Sequence, residues 1–208
     1  MNCNAIAPWY RLFEYSTFGV ALQRRRCHFL PALTASRRML MLGEGDGRFL
    51  QKLLNTNSCV EVDYVDKSSR MLDLAAQRVD SCARVHFHQS DITSDGVPGK
   101  EYDAVVTHFF LDCLLPEEIN CLIENVRNCV TDGACWVVSE FHIPDDGWQR
   151  VRAQAWLRIL YASFGLATGL RAAQLPDYKT ALVNAEFRLH EESTANLGLL
   201  TSQLWVRG

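Results

Sequence analysis

The chain has 208 residues, 48% hydrophobic and 22% charged, which suits one large domain with an ordinary globular core and excludes a disordered or fibrous chain. Its formal net charge of −3 lacks the basic excess of a nucleic-acid binder, and its one basic cluster, Arg24–Arg25–Arg26, reads first as a solvated helix face. The eight cysteines form no CxxC pair, which argues against zinc, and the sequence shows neither a signal-peptide start nor an uncharged run of membrane-span length, so the expectation is a soluble cytoplasmic protein with free, buried thiols and no metal.

In chain order, Trp9, Leu12, Phe13, Phe18 and Leu22 suit a helical face or a pair of helices, with Pro31 limiting the element. Arg38–Leu42 is an apolar run ahead of a glycine cluster and reads as a buried strand. Phe49, Leu50, Leu53 and Leu54 follow at helical spacing. A second strand is expected at Val60–Val65, a helix at Ser69–Val79, a third strand at Val85–His88 and a fourth at Tyr102–Phe109. Ile119, Leu122, Ile123, Val126 and Val130 keep an i, i+3, i+4, i+7 rhythm, so a helix runs there, ended by Asp132–Gly133 and followed by a fifth strand, Ala134–Ser139. The alternation then stops. Trp148–Phe164 is a long amphipathic helix, and Pro176–Asp177 opens another that ends near Asn184. Glu186–Glu191 and Leu199–Val206 look like an antiparallel hairpin. Strands that alternate with helices and are apolar on both faces imply an α/β fold with a mostly parallel sheet. No internal boundary is evident, so residues 1–208 are expected to form a single domain, with residues 1–37 as an N-terminal helical cap.

The segment Leu42-Gly43-Glu44-Gly45-Asp46-Gly47-Arg48-Phe49 lies between a strand and a helix, where glycines allow a sharp turn and close approach of a ligand. Asp66 ends the second strand about 20 residues on, the place of an acid that accepts ribose hydroxyls. Its plainer reading is a helix cap, a task Ser68 or Ser69 can take instead. Asp91 and Ile92 follow the third strand, where a carboxylate can accept from an adenine amino group; a simple turn is the competing reading. Three such features at successive strand ends mark the ligand edge of an open α/β sheet. The loop reads GxGxG with Arg48 where a dinucleotide fingerprint needs glycine, and it lacks the Lys-Ser/Thr of a P-loop. Glu44 and Asp46 disfavour a pyrophosphate and suit a cationic ligand such as S-adenosylmethionine (SAM).

Met39-Leu-Met-Leu-Gly-Glu-Gly-Asp-Gly-Arg-Phe49, Val65-Asp-Lys-Ser-Ser-Arg-Met-Leu72, Ser90-Asp-Ile92 and Tyr102-Asp-Ala-Val-Val-Thr-His-Phe-Phe-Leu111 together closely resemble the class I SAM-dependent methyltransferases, from about Arg38 onward. The resemblance implies a Rossmann-like seven-stranded sheet of order 3-2-1-4-5-7-6 with strand 7 antiparallel and helices on both faces. It implies that Gly43, Glu44, Gly45 and Gly47 line the methionine and ribose portion and that Asp66 holds the ribose. Lys67 and Met71 would flank the adenine, Asp91 and Ile92 would recognise it, and His108 and Phe109 would lie beside the methionine part. One position departs from the family. Met41 stands two residues before the first glycine, where an acid is usual, and Glu44, Tyr10 or Tyr15 are the candidates to compensate.

The expected activity is methyl transfer to a small, partly apolar or aromatic acceptor. Holding nucleophile, methyl and sulfur in line supplies roughly 7–11 kcal/mol, and a base is needed only where the nucleophile must lose a proton. His142 and His108 are the candidate catalytic residues, with Asp112 behind them; Cys113 reads as a core thiol. Thr107-His-Phe-Phe110 replaces the Asn-Pro-Pro-Tyr of base- and glutamine-nitrogen methyltransferases, which together with the acidic charge argues against a nucleic-acid acceptor. The competing readings are a SAM-binding sensor or partner module without methyl transfer, a nicotinamide-dependent oxidoreductase, and an aminopropyl transferase on the same fold.

Overall fold

The computed structural model describes residues 20–80, 82–168 and 175–208. Trp9, Tyr10, Phe13, Tyr15 and Phe18 of the expected N-terminal helix lie outside the described residues, and of the segment 1–37 the structure describes helix α1 (Ala21–Arg26) and a 3-10 turn over Leu30–Leu33 that contains Pro31.

Seven strands form one sheet in the order β3-β2-β1-β4-β5-β7-β6. They are β1 (Arg38–Leu42), β2 (Glu61–Asp66), β3 (Val85–Gln89), β4 (Tyr102–His108), β5 (Val130–Phe141), β6 (Phe187–Ala195) and β7 (Leu200–Arg207). The first five run parallel, while β7 pairs antiparallel with both β5 and β6. The connections are α2 (Arg48–Thr56), α3 (Ser69–Arg78), the single turn α4 (Ile92–Asp95), α5 (Pro116–Arg127), α6 (Gly147–Thr168) and α7 (Tyr178–Asn184).

The period-2 alternation of the strands divides the core into two layers. On β1, Leu40 and Leu42 face α5 and α7 together with Tyr102, Ile119, Leu122, Val126, Trp136, Leu182 and Trp205. Met39 and Met41 face the other way, among Phe49, Leu50, Leu53, Val62, Tyr64, Ala104, Val106 and Val137. A third, smaller cluster joins Leu22 of α1 to Phe141, Leu157, Leu160, Tyr161 and Leu200. Burial on both faces is what an apolar run such as Met39–Leu42 requires, since helices cover the parallel sheet on each side.

Helix starts follow local chemistry. Ser68 caps α3, its Oγ accepting the Met71 N–H at 3.2 Å. Asp177 caps α7 through the Thr180 N–H at 3.1 Å. At α5, Pro116 occupies the first turn and the Glu118 carboxylate accepts the Leu115 N–H at 2.8 Å.

Two expectations are corrected. Asp132–Gly133 does not separate α5 from a short strand: β5 begins at Val130 and runs through it, with a register irregularity against β4 and Gly133 at φ 73°. A bulge carried by a left-handed glycine explains how one long strand absorbs a turn signal. Among the described residues no thiol is in a disulfide, but these thiols are not deep in the core: Cys59 and Cys121 are exposed, and Cys27, Cys82, Cys113, Cys129 and Cys135 are half-buried. No described helix is long and apolar enough to cross a membrane, and among the described residues no cluster of His, Cys, Asp or Glu could hold a metal ion.

Candidate active site

The carboxyl ends of β1, β2, β3 and β4 converge at one edge of the sheet, because parallel strands in register bring their exits together. The loop after β1 turns at Gly43, whose N–H donates to the Val65 carbonyl at 2.9 Å and whose φ is 60°. A β-carbon at Gly43 would lie 2.1 Å from Cδ2 of Phe110, so glycine is what lets the loop after β4 close against the loop after β1. At Gly47 a β-carbon would lie 2.7 Å from the Ala75 Cα of α3. That third glycine therefore serves close helix packing. Tyr64 donates its hydroxyl to the Gly45 carbonyl at 2.8 Å and holds the loop from beneath.

The two acids of the loop part company. Asp46 accepts from Arg48 Nε at 2.9 Å and from Arg78 at 3.0 Å, so two guanidiniums already balance its charge. Counting Asp46 toward a cationic ligand is thus corrected; it staples the loop to α3. Glu44 turns inward, with its side chain 1% exposed, 3.8 Å from Arg26 Nε and 3.9 Å from His108 Nδ1. Met41 is fully buried in the apolar layer and brings no charge to the site.

Asp66 sits at the end of β2, its Oδ1 accepting the Ser68 N–H at 2.8 Å. Because Ser68 provides the cap of α3, Asp66 is left for another task. Burial raises its carboxyl from 3.8 to about 6, against the pull of the Ser68 and Gly45 N–H groups. Lys67 is exposed and pairs with Asp91 at 2.5 Å, and Asp91 also caps α4 through the Thr93 N–H at 3.3 Å. Lys67 first, with Thr93, lowers the Asp91 carboxyl below its usual range. Met71 and Ile92 are buried beneath this end of the sheet. Asp66, Lys67, Met71, Asp91 and Ile92 thus gather along β2 and β3, on the side where the resemblance puts the nucleoside.

At the end of β4, His108 is buried, edge-on to Phe49 at 4.6 Å, and neither ring nitrogen has a hydrogen-bond partner among the described residues. Burial and the nearby Arg26 charge hold it well below the usual histidine range, so it is neutral. Phe109 follows at φ 54°, an uncommon conformation for a bulky residue, with its N–H on the Ser139 carbonyl at 2.7 Å. His142, just beyond β5, presents Nδ1 to the Gly198 carbonyl at 2.8 Å. A carbonyl only accepts, so Nδ1 carries the proton and Nε2 is the acceptor nitrogen. Tyr10 and Tyr15 lie outside the described residues.

Sequence reasoning missed two groups. Glu140, at the end of β5, has no exposed surface and accepts the N–H groups of Phe110 and Leu111 at 3.0 and 2.8 Å, fixing the backbone that carries Phe109 and Phe110. Beside it lies Asp112, whose Oδ2 accepts from Tyr161 of α6 at 3.4 Å. Burial pushes both carboxyls up, Asp112 to about 6, and the Asp112 charge raises Glu140 further while a hydrogen bond with Glu140 pulls Asp112 down. The other is Arg26, whose guanidinium lies over the Phe109 ring at 5.3 Å. It sits in the cluster read as a solvated face, yet it is 2% exposed, so that reading holds for the exposed Arg24 and fails for Arg26, while Arg25 is half-buried and donates to Ser193 Oγ at 3.1 Å. The only sequence signal was its position in a segment preceding β1.

A carboxylate and a neutral imidazole beside the glycine loop, together with a ribose-type acid one strand away, match a ligand that is cationic at one end and a nucleoside at the other. SAM is such a molecule.

Comparison with known proteins agrees. A family model described as a methyltransferase domain matches residues 40–136. The chain is 22% identical over 165 residues to carboxy-S-adenosyl-L-methionine synthase of Photobacterium profundum, covering 76% of this chain and 65% of that protein. It is 28% identical over 118 residues to tRNA N(3)-cytidine methyltransferase METTL2 of Gallus gallus, covering 53% of this chain and 32% of that one. The chain thus spans under two thirds of these relatives' length. Among solved structures, the N-methyltransferase NodS from Bradyrhizobium japonicum WM9, in complex with S-adenosyl-L-homocysteine (SAH), superposes with a TM-score of 0.65 at 17% identity, over 89% of this chain and 87% of that one. Residues 40–136 thus match a methyltransferase domain, and the sheet order gives the chain the fold it shares with that N-methyltransferase.

Proposed function

We propose that the protein transfers the methyl group of SAM to a small, partly apolar or aromatic acceptor. The observation that carries this reading is the grouping of Glu44, Asp66, Asp91 and neutral His108 at one sheet edge, next to an apolar cluster that includes Phe109, Phe141 and Tyr161. Gly43, Glu44, Gly45, Gly47, His108 and Phe109 would hold the methionine end. Asp66 would hold the ribose, and Lys67, Met71, Asp91 and Ile92 the adenine. When bound, SAM supplies an electrophilic methyl that leaves sulfur by in-line displacement, so the chain's main task is to orient the acceptor. We read residues 1–208 as one domain in which the segment 1–37 caps the site, a reading supported by the inward reach of Arg26.

For acceptors that must lose a proton, His142 Nε2 is the better base. Its tautomer is set by Gly198 and the ring is half-buried, whereas His108 is sealed in the core and held neutral. A small acceptor is favoured over tRNA by the net charge of −3 and the absence of Asn-Pro-Pro-Tyr after β4. The test is transfer of labelled methyl from SAM to a panel of phenols, amines and hydroxylated heterocycles, with tRNA as the opposing arm. Turnover on the small acceptors is expected, with His142→Ala losing about 10- to 1,000-fold in kcat on phenols. Turnover on tRNA alone would refute the acceptor class. SAM binding without turnover on any acceptor would favour a sensor or partner module, the reading that Met41 in place of the usual acid keeps open.

A further inference from the structure

We propose that the exposed face of α6 docks the protein onto an anionic lipid surface.

The helix is apolar on two opposite sides. Ala153, Leu157 and Leu160 recur at steps of four and three and pack inward with Leu22, Phe141 and Leu200. Trp148, Val151 and Ile159 recur at steps of three and eight, so they share the other side, where they are 62, 67 and 61% exposed. A surface helix carries polar side chains there. Large apolar side chains gathered in water instead mark an interaction surface. Leu197 extends the patch from the turn between β6 and β7, where it is also exposed. Arg152 ties that turn to the helix, donating to the Asn196 carbonyl at 2.7 Å.

Charge selects the occupant. From Gly147 to Thr168 the helix has the arginines Arg150, Arg152 and Arg158 and neither aspartate nor glutamate, in a chain whose net charge is −3. Asp145 and Asp146 precede its first turn. Helical spacing sets Arg152 and Arg158 on either side of the apolar line, and the Arg152 guanidinium lies over the Trp148 ring at 5.7 Å. An apolar line anchored by tryptophan and flanked by arginines is the pattern of a helix lying in the plane of a lipid interface, its apolar side among acyl chains and its cations among phosphates. A second copy of the chain fits the face less well, because two-fold pairing sets arginines against arginines.

The face adjoins the candidate base. The turn that carries Leu197 receives the His142 N–H and its Nδ1 proton through the Leu199 and Gly198 carbonyls, each at 2.8 Å. On the methyl-transfer reading, docking would set His142 near the lipid boundary, which suits an acceptor that partitions into lipid.

The test is co-sedimentation of the full chain, without SAM, with vesicles of phosphatidylcholine and with vesicles of an equal mixture of phosphatidylcholine and phosphatidylglycerol. Binding is expected to the mixed vesicles, with little to phosphatidylcholine alone, and added salt should weaken it. Trp148→Glu and Ile159→Glu should each lower partitioning by about tenfold or more, and Arg158→Gln by about fivefold. Val183→Glu, at an exposed apolar position of α7, should stay within about twofold of wild type. Acyl chains brominated near the headgroup should quench tryptophan fluorescence in wild type more than in Trp148→Phe. Equal binding to both vesicle types, or binding that Trp148→Glu and Ile159→Glu leave intact, would overturn the proposal. So would a dimer that Trp148→Glu dissociates in a protein that ignores both vesicle types, which would assign the face to a second copy. Because no SAM or acceptor is present, failure here leaves the methyl-transfer reading standing.

Discussion

Substituting Gly43 by alanine tests the contact that joins the two site loops. Gly43 has φ 60°, and a β-carbon there would stand 2.1 Å from Phe110 Cδ2. The left-handed backbone alone costs an alanine about 1–2 kcal/mol. Relieving the overlap moves a packed phenyl ring and costs about 1–3 kcal/mol more, for a total of about 2–5 kcal/mol. Gly133 supplies the control, because it has φ 73° and nothing within 4 Å of the same built atom, so Gly133→Ala carries the backbone cost alone. Urea unfolding of both variants should show Gly43→Ala less stable than Gly133→Ala by about 1–3 kcal/mol. Adding Phe110→Ala to Gly43→Ala should recover part of that difference, as a favourable coupling in a double-mutant cycle. Equal losses in the two alanine variants, or no coupling to Phe110, would refute the contact.

Three other outcomes follow from the titrating groups. Asp66 must be ionised to accept two ribose hydroxyls, and its carboxyl is raised to about 6. SAH affinity should therefore weaken as pH falls through about 6, and calorimetry on Asp66→Asn should show weak binding with no such dependence. Asp112 is likewise raised from 3.8 to about 6. An acid that holds its proton more tightly when folded stabilises the fold below its ordinary value and loses that contribution as pH rises to the folded value. Asp112→Asn should accordingly gain about 1–3 kcal/mol relative to wild type at about pH 8 and much less at about pH 4, measured by urea unfolding. Glu140→Ala removes the acceptor for two buried N–H groups, and should lower stability by about 2–4 kcal/mol, with Glu140→Gln retaining most of it.

The strands and the ligand edge were legible because their signals are local. Arg38–Leu42 was recovered as read, and β2, β3 and β4 shifted by a residue or so at their ends. The order of the last two strands came with the family resemblance, since pairing of β7 between β5 and β6 is a tertiary choice that hydrophobic period does not encode. Asp132–Gly133 misled because the same pair serves a turn or a bulge, and only the partner strand decides. Ser68 as the cap of α3 was one of two named possibilities, and the geometry chose it. Arg26 was hidden for a different reason: three consecutive arginines read as solvated, and which one points inward depends on the docking of α1 against Ser139 and Ser202. Glu140 was hidden as well, because an acid ending a strand gives no sign that it will be buried beneath the backbone of the neighbouring loop.

The central claim is that this sheet edge holds SAM. Calorimetric titration of the protein with SAM and SAH, set beside Asp66→Ala, tests it most directly. Binding of both at one site is expected, with Asp66→Ala weakening each by about 1–3 kcal/mol. Wild-type protein that binds neither would contradict the claim, and unchanged affinity in Asp66→Ala would contradict the placement of the ribose.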